Sequence, residues 1–210
     1  MNVVLYDYSD RGVVFIMSKQ IKSKSRVTRF GEVYTAEREV KGMVDLINDR
    51  VKEFGSTILE PACGNGNFLI EVLRRRLMMI KSFSLSETDT MFALLRATTS
   101  LYGIDIQKDN VFECRIRLLN EIVKNIDISK EFKDLLTVII KKNIIAGDTL
   151  TMKAANGKDM QICEWDVRND GHLICKTVLY KDMVENGGES TAYKNRYSYR
   201  WLPSVERITA

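Results

Sequence analysis

The sequence has 210 residues, of which 45% are hydrophobic and 29% charged, and its formal net charge is +4. This composition is that of a globular protein and excludes a disordered or fibrous chain. The length predicts one domain with a small extension, and the mild positive charge is compatible with a nucleic-acid partner without identifying one.

The cysteines and the histidine argue against a metal centre. The four cysteines lie at least twelve residues apart, and His172 is the sole histidine. Since no Cys-x-x-Cys pair exists, no zinc site is expected, and reduced thiols predict a cytoplasmic protein. No run of about 18 apolar residues predicts a membrane span, and the first residues do not resemble a secretory signal.

Residues 1–30 are predicted to form an N-terminal extension and a basic arm. Residues 1–16 end in an apolar stretch and are either an upstream extension or a lone edge strand. The segment that follows contains bases and no acid, namely Lys19, Lys22, Lys24, Arg26 and Arg29. Such a run is usually a solvated arm. The alternative is an arm that contacts DNA phosphates, for which Lys22, Lys24 and Arg26 are the candidates.

The middle of the chain alternates between helical and strand patterns. Helices are predicted over residues 35–54, 68–80, 89–97, 109–124 and 129–142. The helix at residues 68–80 is predicted to bury an apolar face, and Arg74, Arg75 and Arg76 are expected to lie mostly on its opposite face. Short strands are predicted at residues 56–60, 101–106 and 143–147. Strands that alternate with helices predict a parallel sheet, so residues 31–158 are expected to form one α/β domain.

The pattern changes after the third predicted strand. Residues 160–167 and 172–180 are predicted strands, and the Asp-Gly turn between them is a hairpin signal. Residues 193–201 are basic and aromatic and can stack on bases and contact phosphates, chiefly through Arg196, Tyr197 and Arg200. The alternative is an edge strand or a packing tail. Residues 159–210 are therefore predicted to form a β-hairpin and a basic aromatic tail.

The first predicted strand of this domain runs directly into a turn of small residues. The stretch Glu60-Pro-Ala-Cys-Gly-Asn-Gly-Asn-Phe68 carries two glycines just where the next helix begins. Glycines let the backbone approach a ligand closely, and a helix N-terminus offers free N–H groups to a carboxylate or phosphate. In an open α/β sheet, ligands bind at this edge, outside the carboxyl ends of the strands.

Three classes of ligand use such a turn. A P-loop requires Gly-Lys-Ser/Thr, which is absent here. A dinucleotide fingerprint requires a third glycine where the chain has Leu69. S-adenosylmethionine fits better, because its ribose needs a carboxylate from the next strand end, where Asp105 stands, and Asp148 ends the third strand. Either aspartate alone is more often a helix cap or turn residue.

The stretch from Glu60 to Phe68 resembles the cofactor motif of the adenine-N6 DNA methyltransferases of restriction–modification systems, Asp-Pro-Ala-Cys-Gly-Ser/Thr-Gly. In particular, it is similar to the modification subunits of type I and type IIG systems. Residues 31–35 resemble the family's N-terminal cofactor motif, with Ala36 in place of its proline, and residues 102–106 and 143–148 match its two acidic positions. The resemblance covers residues 19–150. It implies a Rossmann-like S-adenosylmethionine-dependent methyltransferase sheet, to which the C-terminal region adds a small β-rich extension.

The resemblance also implies roles for individual residues. Tyr34 and Thr35 would close over the methionine end of the cofactor. That end would be lined by Glu60, Pro61, Ala62, Cys63, Gly64 and Gly66. Asp105 would hold the ribose hydroxyls, Asp148 and Phe68 would frame the adenine, and Ile106 would complete the cofactor site.

The chain departs from the family in the catalytic motif, Asn/Asp-Pro-Pro-Tyr/Phe. Its two prolines, Pro61 and Pro203, are not adjacent, so the motif is absent. The fourth-strand position is predicted at residues 161–166, where Glu164 or Asp166 can accept from the target amine and Trp165 can stack on an extruded base. The alternative for this segment is a hairpin strand with a half-buried tryptophan and solvated acids.

Several functions remain open from the sequence. The first is an adenine-N6-specific DNA methyltransferase, or a modification subunit that needs a separate specificity or catalytic subunit, because the usual target-recognition region is also missing. The second is a catalytically silent S-adenosylmethionine-binding module that acts as a regulatory or assembly subunit. A weaker third is methylation of another substrate by the Glu164-Trp165-Asp166 strand. DNA is the expected partner under the first.

Overall fold

The computed structural model describes residues 2–6, 13–17, 25, 28, 35–185 and 195–201. Its helices and strands follow in chain order: β1 (Asn2–Tyr6), β2 (Val13–Met17), α1 (Glu37–Leu46), α2 (Asn48–Lys52), β3 (Ile58–Glu60), α3 (Asn67–Ser82), α4 (Glu87–Thr99), β4 (Leu101–Asp105), α5 (Lys108–Asn125), α6 (Lys130–Asn143), β5 (Ile144–Asp148), β6 (Lys153–Ala154), β7 (Gln161–Val167), β8 (His172–Leu179), α7 (Tyr180–Glu185) and β9 (Asn195–Arg200). No helix among the described residues is long and apolar enough to cross a membrane.

The central sheet has the strand order β3-β4-β5-β6. Strands β3, β4 and β5 are parallel neighbours, and β6 pairs with β5 in the antiparallel sense. Parallel neighbours need long crossover connections, which are supplied by α3 with α4 and by α5 with α6. The predicted α/β fold with a parallel sheet is therefore confirmed. Its three parallel strands end on one side, called here the carboxyl edge, and begin on the other, the amino edge.

The two faces of the central sheet are covered differently. Gly103 faces α3, and a Cβ atom there would lie 2.8 Å from the Cδ1 of Leu69, so a helix packs closely on this face. Tyr102 points to the opposite face, because side chains alternate along a strand. Its hydroxyl donates to the carbonyl of Cys163 in β7 at 2.7 Å. The second face therefore contacts a separate antiparallel sheet of β7, β8 and β9.

Strand β7 runs in the opposite direction to β5. Just before β7, Met160 approaches the carboxyl edge, where a Cβ on Gly147 would lie 2.9 Å from its Sδ. Further along, the indole Nε1 of Trp165 donates to the Oδ1 of Asn143 at 2.7 Å, and Asn143 immediately precedes β5. The middle of β7 is thus anchored at the amino edge.

Two N-terminal predictions differ from the structure. The helix predicted over residues 35–54 is divided into α1 and α2 at Ile47, where φ is −113° and ψ is 19°. The alternative of a lone edge strand in residues 1–16 is also wrong, since β1 pairs with β2 as an antiparallel ribbon. The other predicted helices and strands that lie within the described residues are present, with their ends shifted by a few residues.

Arg76 of α3 lies in the interior rather than on the polar face that its sequence position predicts. Its side chain is 0% exposed. The guanidinium donates at 2.8–3.3 Å to the carbonyls of Val51, Glu53, Ser56 and Ala97 and to the hydroxyl of Ser100. Carbonyls at helix C-termini favour a cation. Burial lowers the pKa of Arg76 to about 10, so the side chain remains charged at neutral pH.

Replacing Arg76 tests this arrangement. Because Arg76→Ala leaves several buried carbonyls without a donor, we expect it to lower the free energy of unfolding by about 3–5 kcal/mol in urea titrations. Arg50→Ala is the control, since the Arg50 side chain is exposed and pairs only loosely with Glu53 at 3.7 Å; we expect it to change stability by less than about 0.5 kcal/mol. Equal effects of the two changes would contradict a stabilising role for Arg76.

Candidate functional site

The turn between β3 and α3 is built on two glycines with left-handed backbone conformation. The φ angles are 52° at Gly64 and 86° at Gly66. The N–H of Gly66 donates to the carbonyl of Cys63 at 2.8 Å, which closes the turn, and Gly66 caps α3. A Cβ atom on Gly66 would collide with the Sγ of Cys114. Both the backbone conformation and the available space therefore require glycine at position 66.

Asp105 joins the end of β4 to this turn. Its Oδ2 accepts from the N–H of Gly64 at 2.9 Å. Its Oδ1 accepts from the N–H of Gln107 at 2.8 Å and from the Nδ2 of Asn110 at 3.3 Å. The carboxylate thus fixes the turn relative to the second strand, and Oδ2 has a second lone pair that can accept another donor.

The end of β5 lies against the same turn. The Thr149 hydroxyl donates to the carbonyl of Pro61 at 3.3 Å. Asp148 uses Oδ1 to accept from the N–H of Leu150 at 2.9 Å and of Thr151 at 3.5 Å. Its Oδ2 makes no hydrogen bond within the described part of the chain. All three strand ends singled out in the sequence therefore meet at the carboxyl edge.

The other residues predicted for the cofactor site lie near this turn where the structure describes them. The Nδ2 of Asn67 donates to the carbonyl of Thr35 at 3.1 Å, so Thr35 lies at the start of α3. Phe68 is half-buried and packs against the hydrophobic core. Ile106, directly after Asp105, is 53% exposed. Tyr34 lies outside the described residues.

Glu60 is an acid at the carboxyl edge with one unsatisfied oxygen. Its Oε2 is buried and has no hydrogen-bond partner among the described residues. Burial, together with the nearby Asp105 carboxylate, raises the pKa of Glu60 from 4.5 to about 8. The side chain therefore carries a proton at neutral pH. A buried polar atom without a partner, in a group with a shifted pKa, is typical of functional sites.

Cys63 has a structural place beneath the turn. A hydrogen bond with Cys114, together with burial, raises the pKa of the Cys63 thiol. Its Sγ is 3.7 Å from the carbonyl of Gly64. Because the nucleophilic form of cysteine is the thiolate, this protonated side chain is unsuited to nucleophilic attack.

The residues predicted at the fourth-strand position lie elsewhere. Strand β7 belongs to the antiparallel sheet and pairs with β8, so the assignment of residues 161–166 to the parallel sheet is wrong. Trp165 donates to Asn143 and its ring lies 6.2 Å from that of Tyr199. Glu164 pairs in register with Lys176, and Asp166 is exposed. The hairpin strand with a half-buried tryptophan, which was the alternative, is the arrangement present.

The candidate nucleic-acid residues also lie away from the carboxyl edge or outside the described residues. Arg196, Tyr197 and Arg200 belong to β9, which pairs with β8. The Nζ of Lys142, next to the amino edge, lies 4.4 Å from the centroid of the Tyr197 ring. DNA contact by this strand stays a prediction. The remaining candidates, Lys22, Lys24 and Arg26, lie outside the described residues.

The residues that contact the turn from α5 were not predicted from the sequence. Asn65 is 3% exposed, and its Nδ2 donates to the Oε1 of Glu113 at 2.9 Å. The carbonyl of Asn65 accepts from the Nη1 of Arg117 at 2.8 Å. The available signal was the spacing of polar residues at 110, 113 and 117, which places them on one side of the helix. Among the described residues, no group of three or more His, Cys, Asp or Glu side chains could hold a metal ion.

The geometry of the turn agrees with a comparison with known families. A family model described as N-6 DNA Methylase matches residues 15–166, which is more than half of the chain. The chain belongs to this family. The match includes all three strand ends at the carboxyl edge, and the resemblance that was predicted from the motif at Glu60–Phe68 is confirmed. No curated protein and no solved structure matches the chain.

Two glycine substitutions separate backbone strain from steric collision in this methylase-family turn. We expect Gly66→Ala to destabilise the protein by about 2–5 kcal/mol, because φ is positive and the added methyl group meets Cys114. Gly157→Ala is the matched control, with φ of 79° and nothing within 4 Å of the added Cβ. It should cost about 1–2 kcal/mol. Equal losses in thermal or urea unfolding would show that close packing at Gly66 is unimportant.

Glu60 should make stability depend on pH. An acid whose pKa is raised on folding favours the folded state below its unfolded pKa, and this contribution is lost as the pH rises through the folded pKa. For Glu60 this pH window runs from the unfolded pKa of 4.5 to the folded pKa of about 8. We expect Glu60→Gln to gain stability relative to the native protein across that window, by about 1.4 kcal/mol for each unit of pKa difference. The free energy of unfolding of both proteins is measured at pH 5, 6, 7 and 8. A difference between them that stays constant over these pH values would contradict a raised pKa of Glu60.

Proposed function

We propose that this N-6 DNA methylase family protein binds S-adenosylmethionine at the carboxyl edge and serves adenine-N6 methylation of DNA, as a modification subunit completed by a partner polypeptide. The bound cofactor would supply an electrophilic methyl group. The observation that carries the proposal is the hydrogen bond from the Gly64 N–H to Asp105, which places a glycine turn and an acidic strand end together. In open α/β sheets, nucleosides and nucleotides bind at this edge.

The charges at the carboxyl edge suit a cationic nucleoside. S-adenosylmethionine carries positive charge on its sulfonium and α-ammonium groups, and Glu60 and Asp105 offer two carboxyl groups close together. A bound ammonium group would favour the ionised form of Glu60, whose buried Oε2 lacks a partner among the described residues and could then accept from it. The ligand's carboxylate would meet the free N–H groups at the start of α3.

The remaining contacts follow from the same geometry. The Oδ2 of Asp105 accepts a ribose hydroxyl through its second lone pair, while the Oδ2 of Asp148 accepts from the adenine amino group. Ile106 and Leu150 are 53% and 91% exposed, and they offer apolar surface for the adenine ring. By the family resemblance, Phe68 would frame the ring from α3, and Tyr34 and Thr35 would close over the methionine end. The backbone of Pro61, Ala62, Cys63 and Gly66 completes the lining.

Methyl transfer also needs an acceptor that orients the target amine at the carboxyl edge. The sequence has no Pro-Pro motif, and Trp165 is hydrogen-bonded to Asn143 at the amino edge. Strand β3 is the outer strand of the described central sheet, and Leu59 within it is 39% exposed. A separate catalytic or specificity subunit can therefore add its strand beside β3 and supply the missing acceptor, in a cytoplasmic complex on DNA.

DNA would contact this complex at more than one place. Arg196 and Arg200 on β9 are exposed and can neutralise phosphates, and Tyr197 can stack on an unpaired base. The basic arm that contains Lys22, Lys24 and Arg26 would add further phosphate contacts. Because β9 lies near the amino edge, it would contact a part of the DNA that is distant from the target base.

A second candidate function is a catalytically silent module that binds S-adenosylmethionine and regulates or assembles with a partner. The observation that favours it is the engagement of Trp165 with Asn143 and Tyr199, which leaves the fourth-strand candidates of the sequence away from the carboxyl edge. Both functions share the cofactor site, and they differ in whether methyl transfer follows when a partner is present.

Calorimetry tests the cofactor site. We expect S-adenosylmethionine to bind the native chain, and Asp105→Ala or Gly64→Trp to weaken binding at least about tenfold. The first change removes the acceptor of the Gly64 N–H, and the second adds a bulky side chain where φ is 52°. Asp166→Ala, an exposed change on β7, is the control and should bind normally. Native affinity in both site variants would refute the proposed site.

Radiolabelled methyl transfer to adenine-containing DNA then separates the two functions. If the labelled methyl group is incorporated into DNA only when a subunit of a modification system is added, the result supports a partner-dependent enzyme. Binding without transfer under all such conditions supports the silent module, and transfer by the purified chain alone refutes the need for a partner.

A further inference from the structure

We infer that one stripe of α5 positions the glycine turn for the cofactor, and that the hydrogen bond between Asn65 and Glu113 sets its conformation. This inference rests on the proposed cofactor site. The residues of the stripe do not themselves need to contact the cofactor. They act by holding the backbone of Gly64 and Gly66, so they are positioning residues.

The stripe consists of four residues at helical spacing, which places them on one side of α5. Each contacts the turn or the aspartate attached to it. Asn110 donates to Asp105, Glu113 accepts from the side chain of Asn65, Cys114 packs against Gly66, and Arg117 donates to the carbonyl of Asn65. One helix therefore contacts three parts of the turn, which are the side chain of Asn65, the backbone carbonyl of Asn65, and Gly66.

Two of these four contacts are made to Asn65. It lies between two residues with positive φ, a conformation that an isolated turn would adopt only part of the time. Its side chain is buried, and Glu113 beside it is also buried, so their hydrogen bond is shielded from water. A buried hydrogen bond to a carboxylate is among the stronger ones, and its loss removes the donor that Asn65 supplies. This contact can therefore select one conformation of the turn.

A residue swap tests the contact specifically. Asn65→Asp places a carboxylate against Glu113, so the turn should be displaced and the affinity for S-adenosylmethionine should fall about tenfold or more. Adding Glu113→Gln to that variant restores the hydrogen bond with the roles exchanged, because the amide at position 113 now donates to the carboxylate at position 65. We expect the double variant to regain most of the affinity. Glu113→Gln alone keeps an acceptor for Asn65 and should stay within about threefold of the native protein.

A matched control lies farther along the same helix. Glu121 accepts from Arg74 at 3.1 Å and belongs to the contact between α3 and α5 rather than to the turn. Glu121→Gln should lower thermal stability but leave the affinity for S-adenosylmethionine unchanged. An equal loss of affinity in Glu121→Gln would show that α5 acts only through general stability, and would overturn the inference.

Hydrogen exchange supplies a measurement that needs no cofactor. In the ligand-free protein, the amides of residues 64–66 should exchange faster in Asn65→Asp and return toward native rates in the double variant, while β8 amides stay unchanged. If the native protein fails to bind S-adenosylmethionine, the proposed function falls, yet the exchange pattern still tests the positioning. Failure of Glu113→Gln to rescue either affinity or exchange would overturn the inference.

Discussion

The hydrogen bond between Asp105 and the N–H of Gly64 is the contact on which the carboxyl edge depends. It joins the end of the second parallel strand to a turn whose two glycines have positive φ. The same carboxylate accepts from Gln107 and Asn110, so it also fixes the start of α5. From that helix, Glu113 and Arg117 contact the turn between the glycines. The turn is therefore held from two directions before any ligand binds.

The two edges of the central sheet differ in how their polar groups are satisfied. At the amino edge, the Arg76 guanidinium and the Asn143 amide, both buried, hydrogen-bond to carbonyls around the starts of β3 and β4. At the carboxyl edge, Glu60 retains a buried oxygen with no partner among the described residues and a raised pKa. The carboxyl edge thus keeps buried side-chain oxygens of Glu60 and Asn65 without a partner among the described residues, and a ligand there could satisfy a group of this kind.

The difference between the two edges also concerns the residues predicted to replace the absent catalytic motif. Trp165, which the sequence offered for stacking on the target base at the fourth-strand position, contributes its indole N–H to the amino edge. In the proposed function, the described residues would supply one half of a methyl-transfer site. The proposal of a partner strand has a physical basis in the outer position of β3 in the described sheet, since an outer strand has backbone groups able to pair.

Sequence patterns were enough to predict the parallel α/β sheet, the glycine turn and the carboxylates at successive strand ends. Local spacing sufficed for these, because strands separated by helices are parallel and their carboxyl ends share one edge. Three features could be seen only in the folded chain, namely the burial of Arg76, the placement of β7 in a second sheet, and the pairing of Asn65 with Glu113, which are 48 residues apart. A charged side chain on a helix has the same local pattern whether it meets solvent or buried carbonyls. Its partners become known only when distant segments pack together.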